Sequence, residues 1–375
     1  MSSIVRNLII SSLTIRSVKS CRAMRLTQVQ NLYSASALGI DSFLLSKKRV
    51  KEHLQSYSDK FKNKIEGFVD EPKSMIFTED LKNVIHIAEH GDLKLVQKMI
   101  KKFNTQSESR FGSFIFGPVV MRMFYCFDAP KEALECFYDP VNKTFFEQLV
   151  SYQILLDLLY NNEMYEEMYK LFDILKERQT NMLKFPKYVV TLILAACYRQ
   201  NTPQSMEYAS KLWAEMTASG TTPLRRAASY FAALALNHNE PLVALEALAQ
   251  QKKHYVTVRN INAMALADMG RLDDALLVLK QVLEIDRPDQ MDKHTFFNET
   301  IVRVKQAVDK TNNKDMQKEL KTIENALRER NLIDDQTLDQ LLRSEIKFTK
   351  IVTKNDDKRS TGKWSPSSRQ RQILP

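Results

Sequence analysis

Residues 257–276, TVRNINAMALADMGRLDDAL, decide the fold of this chain. Before Gly270, apolar residues recur every three or four positions, which is typical of an amphipathic helix. Gly270 interrupts the pattern, and a second apolar series starts at Leu272 and runs through Leu276. A glycine between two helical patterns marks a turn. The stretch therefore predicts two helices joined by a tight turn.

The same unit recurs along the chain. In each copy the helical pattern of apolar residues is interrupted and then resumes, and the second run contains a small or apolar residue at an equivalent position. These six positions are spaced by 37, 35, 41, 35 and 31 residues and are Val96, Ala133, Met168, Ala209, Ala244 and Ala275. A single helical hairpin cannot bury its apolar face, so repeated hairpins stack on their neighbours. The sequence therefore predicts an all-α, right-handed superhelical solenoid of about six units over residues 76–290.

The composition agrees with helices and argues against several other classes. The 375 residues are 44% hydrophobic, enough for a large core, but include only 8 glycines. Few turn residues disfavour β-sandwiches and barrels, which need many of them. The four cysteines show no metal-ligand spacing, so neither a disulfide framework nor a zinc site is expected. Apolar runs fall short of the roughly 20 residues that span a bilayer, and we expect no membrane span.

Both ends of the chain differ from the repeats. Residues 1–35 contain several Ser and Arg residues, lack acidic residues and can form an apolar helix face. This pattern is typical of a mitochondrial transit peptide and predicts a location in the matrix. Residues 36–75 form a basic N-terminal segment. Residues 291–350 are expected to be helices that cap the solenoid, and residues 351–375 a basic, disordered tail.

The net charge of +10 is carried by the ends of the chain. Residues 346–375 hold eight basic and two acidic residues, whereas residues 41–345 hold 42 basic and 43 acidic residues. The folded body is therefore not a uniformly basic surface. Only local patches could neutralise the phosphates of a nucleic acid.

Three units resemble the pentatricopeptide repeat family. Residues 257–276 are similar to its consensus, in which V-T-Y-N opens the first helix and G-R-x-x-E-A-L follows the turn. Residues 152–156, YQILL, resemble the family's Y-N-x-L-I opening, and residues 216–223, MTASGTTP, its M-x-x-x-G-x-x-P ending. The resemblance covers about residues 76–290. It implies a mitochondrial RNA-binding protein that acts in transcript maturation or stability and supports the respiratory chain, with RNA-processing proteins as candidate partners.

The resemblance also implies where single-stranded RNA would bind. In this family a residue near the start of each first helix reads one base together with a residue at the end of the unit. Counting back from the repeated positions gives three polar side chains at such sites, Gln153, Ser229 and Asn260. The paired positions of the last two units hold Leu224 and Tyr255, where the family has Asp or Asn. We therefore expect weak base readout and contact mainly through charge and shape.

Basic clusters are the candidate phosphate contacts. They are Lys47, Lys48, Arg49 and Lys51 in the N-terminal segment, and Arg225 and Arg226 at the start of a predicted first helix. Basic and aromatic side chains that alternate along a surface are typical of single-stranded nucleic-acid sites. A solvated helix face explains the same charges, so both interpretations stay open.

Catalysis is the least favoured class of function. Residues 86–90, HIAEH, fit the H-x-x-E-H pattern of one zinc-peptidase class. However, Gly91 would end the helix at once, and no third ligand follows. The sequence contains no glycine-rich phosphate loop, and we expect no enzyme activity, metal or cofactor. A protein-binding scaffold is the second hypothesis, because the body is nearly neutral, and the oligomeric state stays open.

Overall fold

The computed structural model describes residues 32–55, 58–106, 114–179, 183–284 and 295–346. Nearly all of the predicted transit peptide and the whole basic tail lie outside the described residues. Within these ranges the chain forms 18 α-helices and two short strands, so the protein is all-α, as the sequence predicts. None of the described helices has both the length and the apolar character needed to cross a membrane.

Seven helical hairpins follow one another along the described chain. Their first helices are α4 (Thr78–Ile87), α6 (Gly117–Cys126), α8 (Leu149–Asn161), α10 (Lys187–Gln200), α12 (Arg225–Asn237), α14 (Val256–Asp268) and α16 (Asn298–Lys310). Their second helices are α5 (Leu93–Thr105), α7 (Pro130–Tyr138), α9 (Tyr165–Arg178), α11 (Pro203–Ala218), α13 (Pro241–Leu248), α15 (Leu272–Leu283) and α17 (Lys314–Glu329). Consecutive first helices pack on each other from α4 to α16 and form one continuous layer. This stack is the predicted solenoid, extended by the hairpin α16–α17.

A residue in the left-handed conformation makes the turn in six of the described hairpins. Just after the first helix, one residue adopts a φ between 48° and 73°. These residues are Asp128, Glu163, Asn201, Asn239, Gly270 and Asn312. Glycine lacks the Cβ that opposes this conformation, and Asn and Asp tolerate it better than most side chains. The breaks in the sequence pattern are therefore the turns of the repeats.

The N-terminal flank is helical and lies against helices of the first three hairpins. It comprises α1 (Ala35–Leu38), α2 (Ile40–Leu54) and α3 (Ser58–Asp70). Helix α1 contacts α8, α2 packs across α4 and α6, and α3 packs against α5. The segment 32–38, here called the N-terminal arm, is anchored by Leu32 and Tyr33, which have no exposed surface.

The C-terminal segment turns back along the array. After α17, strand β2 (Ile333–Asp334) pairs in parallel with β1 (Phe296–Phe297). Helix α18 (Leu338–Arg343) then packs on α12 and α14, and Ile346 pairs with Tyr33. We call residues 333–346 the C-terminal arm.

The C-terminal arm departs from the cap expected of residues 291–350. Helices α16 and α17 cover the end of the array, where they enclose a separate apolar core with α15. Helix α18 lies elsewhere, because Leu338 and Leu342 are buried in the main core with the first helices. The cap is therefore one hairpin, and the rest of the segment covers the middle of the solenoid.

The middle first helices are apolar on all sides. Residues 189–197 of α10 and 227–236 of α12 are buried without interruption. A helix at a protein surface buries a single stripe, so continuous burial requires neighbours on every side. The second helices cover one side of the first-helix layer, and the two arms cover the other.

Candidate nucleic-acid interface

The three predicted base-contact residues lie in the first-helix layer, but only one of them is accessible. Gln153 on α8 is half-buried. Ser229 on α12 and Asn260 on α14 have no exposed surface. The positions that sequence reasoning treats as equivalent are therefore not equivalent in the structure.

Ser229 and Asn260 connect neighbouring repeats. The Ser229 hydroxyl lies 3.3 Å from the Thr257 hydroxyl of the next unit. The Asn260 Oδ1 accepts hydrogen bonds from the Phe297 backbone N–H at 2.8 Å and from the Thr300 hydroxyl at 2.7 Å. Because these polar groups are used inside the protein, neither side chain can reach an RNA base in this conformation.

Gln153 lines a groove between the N-terminal ends of α8 and α10. The groove has a volume of about 450 Å³. Its wall includes Phe185 and Tyr188, and the Tyr188 side chain is 44% exposed. Lys184 and Lys187 are exposed at the same groove. One space is thus surrounded by a side-chain amide, an accessible aromatic ring and two ammonium groups.

The two adjacent arginines at the start of α12 differ in their contacts. Arg225 is exposed, and its guanidinium lies 3.8 Å from the centroid of the Tyr255 ring. The Arg226 Nη2 donates to the carbonyl oxygens of Leu342 at 2.7 Å and of Ser344 at 2.6 Å. Arg226 therefore binds the C-terminal arm, whereas Arg225 stays accessible.

Two of the four basic residues predicted on α2 are engaged by the protein itself. The Lys47 Nζ donates to the Ala88 carbonyl at 2.8 Å and lies 4.4 Å from the centroid of the Phe127 ring. Burial lowers the pKa of Lys47. Lys51 forms an ion pair with Glu89 at 3.1 Å. These contacts fasten α2 to the ends of α4 and α6.

Lys48 and Arg49 form the accessible pair on the outer face of α2. Both are exposed, and the ammonium group of Lys48 approaches Glu52 only to 4.0 Å. Leu44 and Leu45 lie one turn earlier and are 48% and 58% exposed. The outer face of α2 therefore combines positive charge with apolar surface.

A buried acid on α8 holds the N-terminal arm, and sequence reasoning missed it. Asp157 has no exposed surface. Its carboxylate accepts hydrogen bonds from the Tyr33 backbone N–H at 3.2 Å and from the Tyr125 hydroxyl at 2.8 Å. Burial raises the pKa of Asp157 to about 7, although these donors act in the opposite direction. One feature of the sequence could have indicated its role, because Asp157 is the one charged residue in the apolar helix α8.

The histidine motif of residues 86–90 does not form one helix face. Helix α4 ends at Ile87, Glu89 follows in extended conformation, and His90 begins the short 3-10 turn His90–Asp92. The His86 ring stacks on Phe43, and its Nδ1 lies 2.7 Å from the Lys82 carbonyl oxygen. Within the described ranges no three His, Cys, Asp or Glu side chains are grouped so that they could hold a metal ion.

Comparisons with known proteins connect this fold to a family. No family model matches the chain. It is 27% identical over 235 residues to "Pentatricopeptide repeat-containing protein 2, mitochondrial" of Mus musculus, and the match covers 62% of this chain. The Homo sapiens protein of that name is 27% identical over 237 residues and 62% of this chain. The chain is related to the pentatricopeptide repeat proteins. The Xenopus laevis protein of the same name is 30% identical over 168 residues, which are 44% of this chain and 43% of that protein.

The similarity to pentatricopeptide repeat proteins is consistent with the stacked hairpins and with the predicted mitochondrial location. Their names describe them as mitochondrial proteins, which supports a mitochondrial location for this chain. The match spans 61% of the length of the mouse protein and 60% of that of the human protein.

Proposed function

We propose that this protein binds single-stranded RNA in the mitochondrial matrix, without enzymatic activity, and promotes the maturation or stability of mitochondrial transcripts. Through those transcripts it supports the respiratory chain, and RNA-processing proteins are its candidate partners. The relationship to pentatricopeptide repeat proteins supports this proposal. The observation that carries it is the open groove at Gln153, the accessible one of the three predicted base-contact positions.

The groove at Gln153 has the chemistry that one unpaired nucleotide requires. An amide side chain offers both a donor and an acceptor to a base edge. The exposed ring of Tyr188 provides a surface on which a base can stack, an interaction of about 1–3 kcal/mol per base. Lys184 and Lys187 are placed to neutralise the adjoining phosphates. A site for a single base gives weak sequence selectivity, which agrees with the burial of Ser229 and Asn260.

Substitution of Gln153 tests this groove. We expect Gln153→Ala to weaken the binding of labelled single-stranded RNA roughly fivefold, because a hydrogen bond contributes about 1 kcal/mol. Fluorescence anisotropy on the full chain measures the affinity. Gln204→Ala is the matched control, because Gln204 is exposed on the second helix α11. Equal affinities of wild type and Gln153→Ala would remove the groove from the RNA interface.

A protein-binding scaffold is the second candidate function, and one observation favours it. The arms cover the first-helix layer over its middle units, and the usual route of RNA along that layer is thereby interrupted. Crosslinking in intact mitochondria separates the two functions, because a scaffold is recovered with proteins and without an enriched transcript.

A further inference from the structure

The C-terminal arm crosses the first-helix layer from its last unit to its middle. The backbone N–H of Leu338 donates to the Glu299 carboxylate of α16 at 2.6 Å. Further along, the Tyr198 hydroxyl of α10 donates to Asp339 at 3.1 Å. The arm ends beside the N-terminal arm, where the backbone N–H of Ile346 donates to the Leu32 carbonyl oxygen at 2.8 Å. It therefore covers α16, α14, α12 and α10 in turn.

The face beneath the arm is basic and aromatic. Arg226 donates to two carbonyl oxygens of the arm, and the Tyr230 hydroxyl donates to the same Leu342 carbonyl at 2.6 Å. Tyr198 and Tyr230 lie beside each other, with ring centroids 5.8 Å apart. A guanidinium next to aromatic rings is the combination that single-stranded nucleic acids bind. In this conformation the Arg226 Nη2 and the hydroxyls of Tyr198 and Tyr230 all donate to the arm.

The arm is acidic, in contrast to the rest of the chain. Residues 333–346 contain one basic residue, Arg343, and four acidic residues, Asp334, Asp335, Asp339 and Glu345. Its net charge is thus −3, whereas residues 41–332 hold 41 basic and 39 acidic residues. The arm offers carbonyl and carboxylate oxygens where a nucleic acid would offer phosphate oxygens. Its carbonyl oxygens and the Asp339 carboxylate accept the hydrogen bonds of Arg226, Tyr198 and Tyr230.

We propose that the C-terminal arm is an internal competitor of single-stranded RNA for the first-helix face formed by Tyr198, Arg226 and Tyr230. This inference rests on the proposed function and adds a second RNA surface together with its regulation. With the arm docked, RNA reaches the groove at Gln153 but not this face. When the arm leaves, the donors of the face become free to bind phosphates and bases.

Substitution of Leu342, which anchors the arm, tests the competition without changing the residues of the face. Leu342 has no exposed surface, and Leu342→Ser removes its apolar contact without altering Arg226 or either tyrosine. When only a small fraction of a protein is in the state that binds a ligand, the apparent affinity for that ligand is reduced by the same fraction. We expect the full-length Leu342→Ser chain to bind labelled single-stranded RNA at least about tenfold more tightly than wild type.

Two controls separate arm release from general destabilisation. Leu320→Ser replaces a similarly buried leucine on α17, away from the face, and should leave RNA affinity unchanged. A synthetic peptide of residues 333–346, added to the Leu342→Ser chain, should displace RNA and restore the wild-type affinity. Hydrogen exchange should show faster exchange of residues 338–346 in Leu342→Ser while α10 stays protected.

The possible results distinguish failure of the competition by the arm from failure of the proposed RNA-binding function. Tighter binding by Leu342→Ser, reversed by the peptide, supports the competition. If wild type binds RNA and Leu342→Ser binds no more tightly, the competition is overturned and the RNA-binding function stands. If neither chain binds RNA at any salt concentration, both the competition and the proposed function are overturned.

Discussion

At the scale of single residues, the polar groups of the first helices mostly serve the protein itself. Asn260 joins two repeats through Phe297 and Thr300. Asp157 joins α8 to the N-terminal arm at Tyr33. Buried polar groups are stable only when their hydrogen bonds are made, so these contacts fix the positions of the helices around them. Under the proposed function, base recognition would therefore be confined to the accessible residues.

Asn260 provides a prediction that separates a structural role from a base-reading role. Asn260→Ala removes the acceptor of two buried hydrogen bonds, and we expect a loss of about 1–3 kcal/mol in the free energy of unfolding. Chemical denaturation measures this loss. The RNA affinity of the folded variant should equal that of wild type, since the side chain is buried. A weakened affinity at unchanged stability would show that Asn260 contacts RNA instead.

Asp157 provides a prediction about pH. Its pKa rises on folding from about 3.9 to about 7, so the folded state holds the proton more tightly than the unfolded chain. The contribution of this carboxyl to stability is therefore full below about pH 4 and is lost as the pH rises towards 7. The groups that face it are the Tyr33 N–H, the Tyr125 hydroxyl, Asn161 and, at longer range, Glu345.

The variant Asp157→Asn isolates this carboxyl. It should lack the part of the pH dependence that falls between about pH 4 and pH 7 and should lose less stability than wild type across that window. Urea denaturation at a series of pH values measures the difference. Parallel stability curves for the two chains would mean that Asp157 titrates at its ordinary pKa.

At the scale of elements, α2 presents an accessible basic pair, Lys48 and Arg49. Lys48 and Arg49 share its outer face, whereas Lys47 and Lys51 bind neighbouring elements. If α2 contacts RNA phosphates, binding should weaken as salt concentration rises, with a slope of about 0.7 per phosphate on a single strand. The double variant Lys48→Gln/Arg49→Gln should therefore lower the salt slope by about 1.4.

A lysine in a similar setting serves as the control for α2. Lys211 is exposed on α11 and pairs with Glu207 one turn away, as Lys48 approaches Glu52. Lys211→Gln should leave the salt slope unchanged. The same slope for the α2 double variant and for wild type would exclude this face from the interface.

The hairpins could be predicted from the sequence, whereas the arms could not. Helical periodicity and turn residues such as Gly270 and Asn201 are local signals, and both residues lie at turns between described helices. The contact of Arg226 with Leu342 joins residues 116 positions apart, and no local pattern reports such a contact. The sequence nevertheless contains one sign of a covered helix, because residues 189–197 are apolar except for Thr191 and offer no continuous polar face.

The prediction of site residues failed to separate buried from accessible polar positions. The three residues Gln153, Ser229 and Asn260 occur at similar places in their units. Spacing alone therefore predicts the same role and the same accessibility for all three. Their difference arises from the following unit, which supplies Thr257 to Ser229 and Thr300 to Asn260. Tertiary packing of this kind lies beyond what periodicity can predict.

At the scale of the whole molecule, the two ends of the described chain meet over the middle of the solenoid. The N–H of Ser34 donates to the Ile346 carbonyl at 3.3 Å, and the N–H of Ile346 donates to the Leu32 carbonyl at 2.8 Å. An open helical stack can flex because each unit contacts only its neighbours. The joined arms add contacts between distant units, so α8 to α12 are held on both sides.

This closure makes fewer first-helix residues accessible than in an open repeat array. Among the described residues proposed to contact RNA, the groove at Gln153, the pair on α2 and Arg225 stay accessible beside this covered middle. Binding through few contacts of this kind depends on phosphate charge and on a limited number of bases. Selection of a transcript would then require release of the C-terminal arm or the help of a partner protein.

Ultraviolet crosslinking in intact mitochondria, followed by sequencing of the RNA bound to the full-length protein, tests RNA binding most directly. The proposed function predicts enrichment of mitochondrial transcripts over a control purification, with weaker enrichment for the Gln153→Ala chain. Recovery of proteins with no enriched transcript would contradict it and would establish the scaffold function instead.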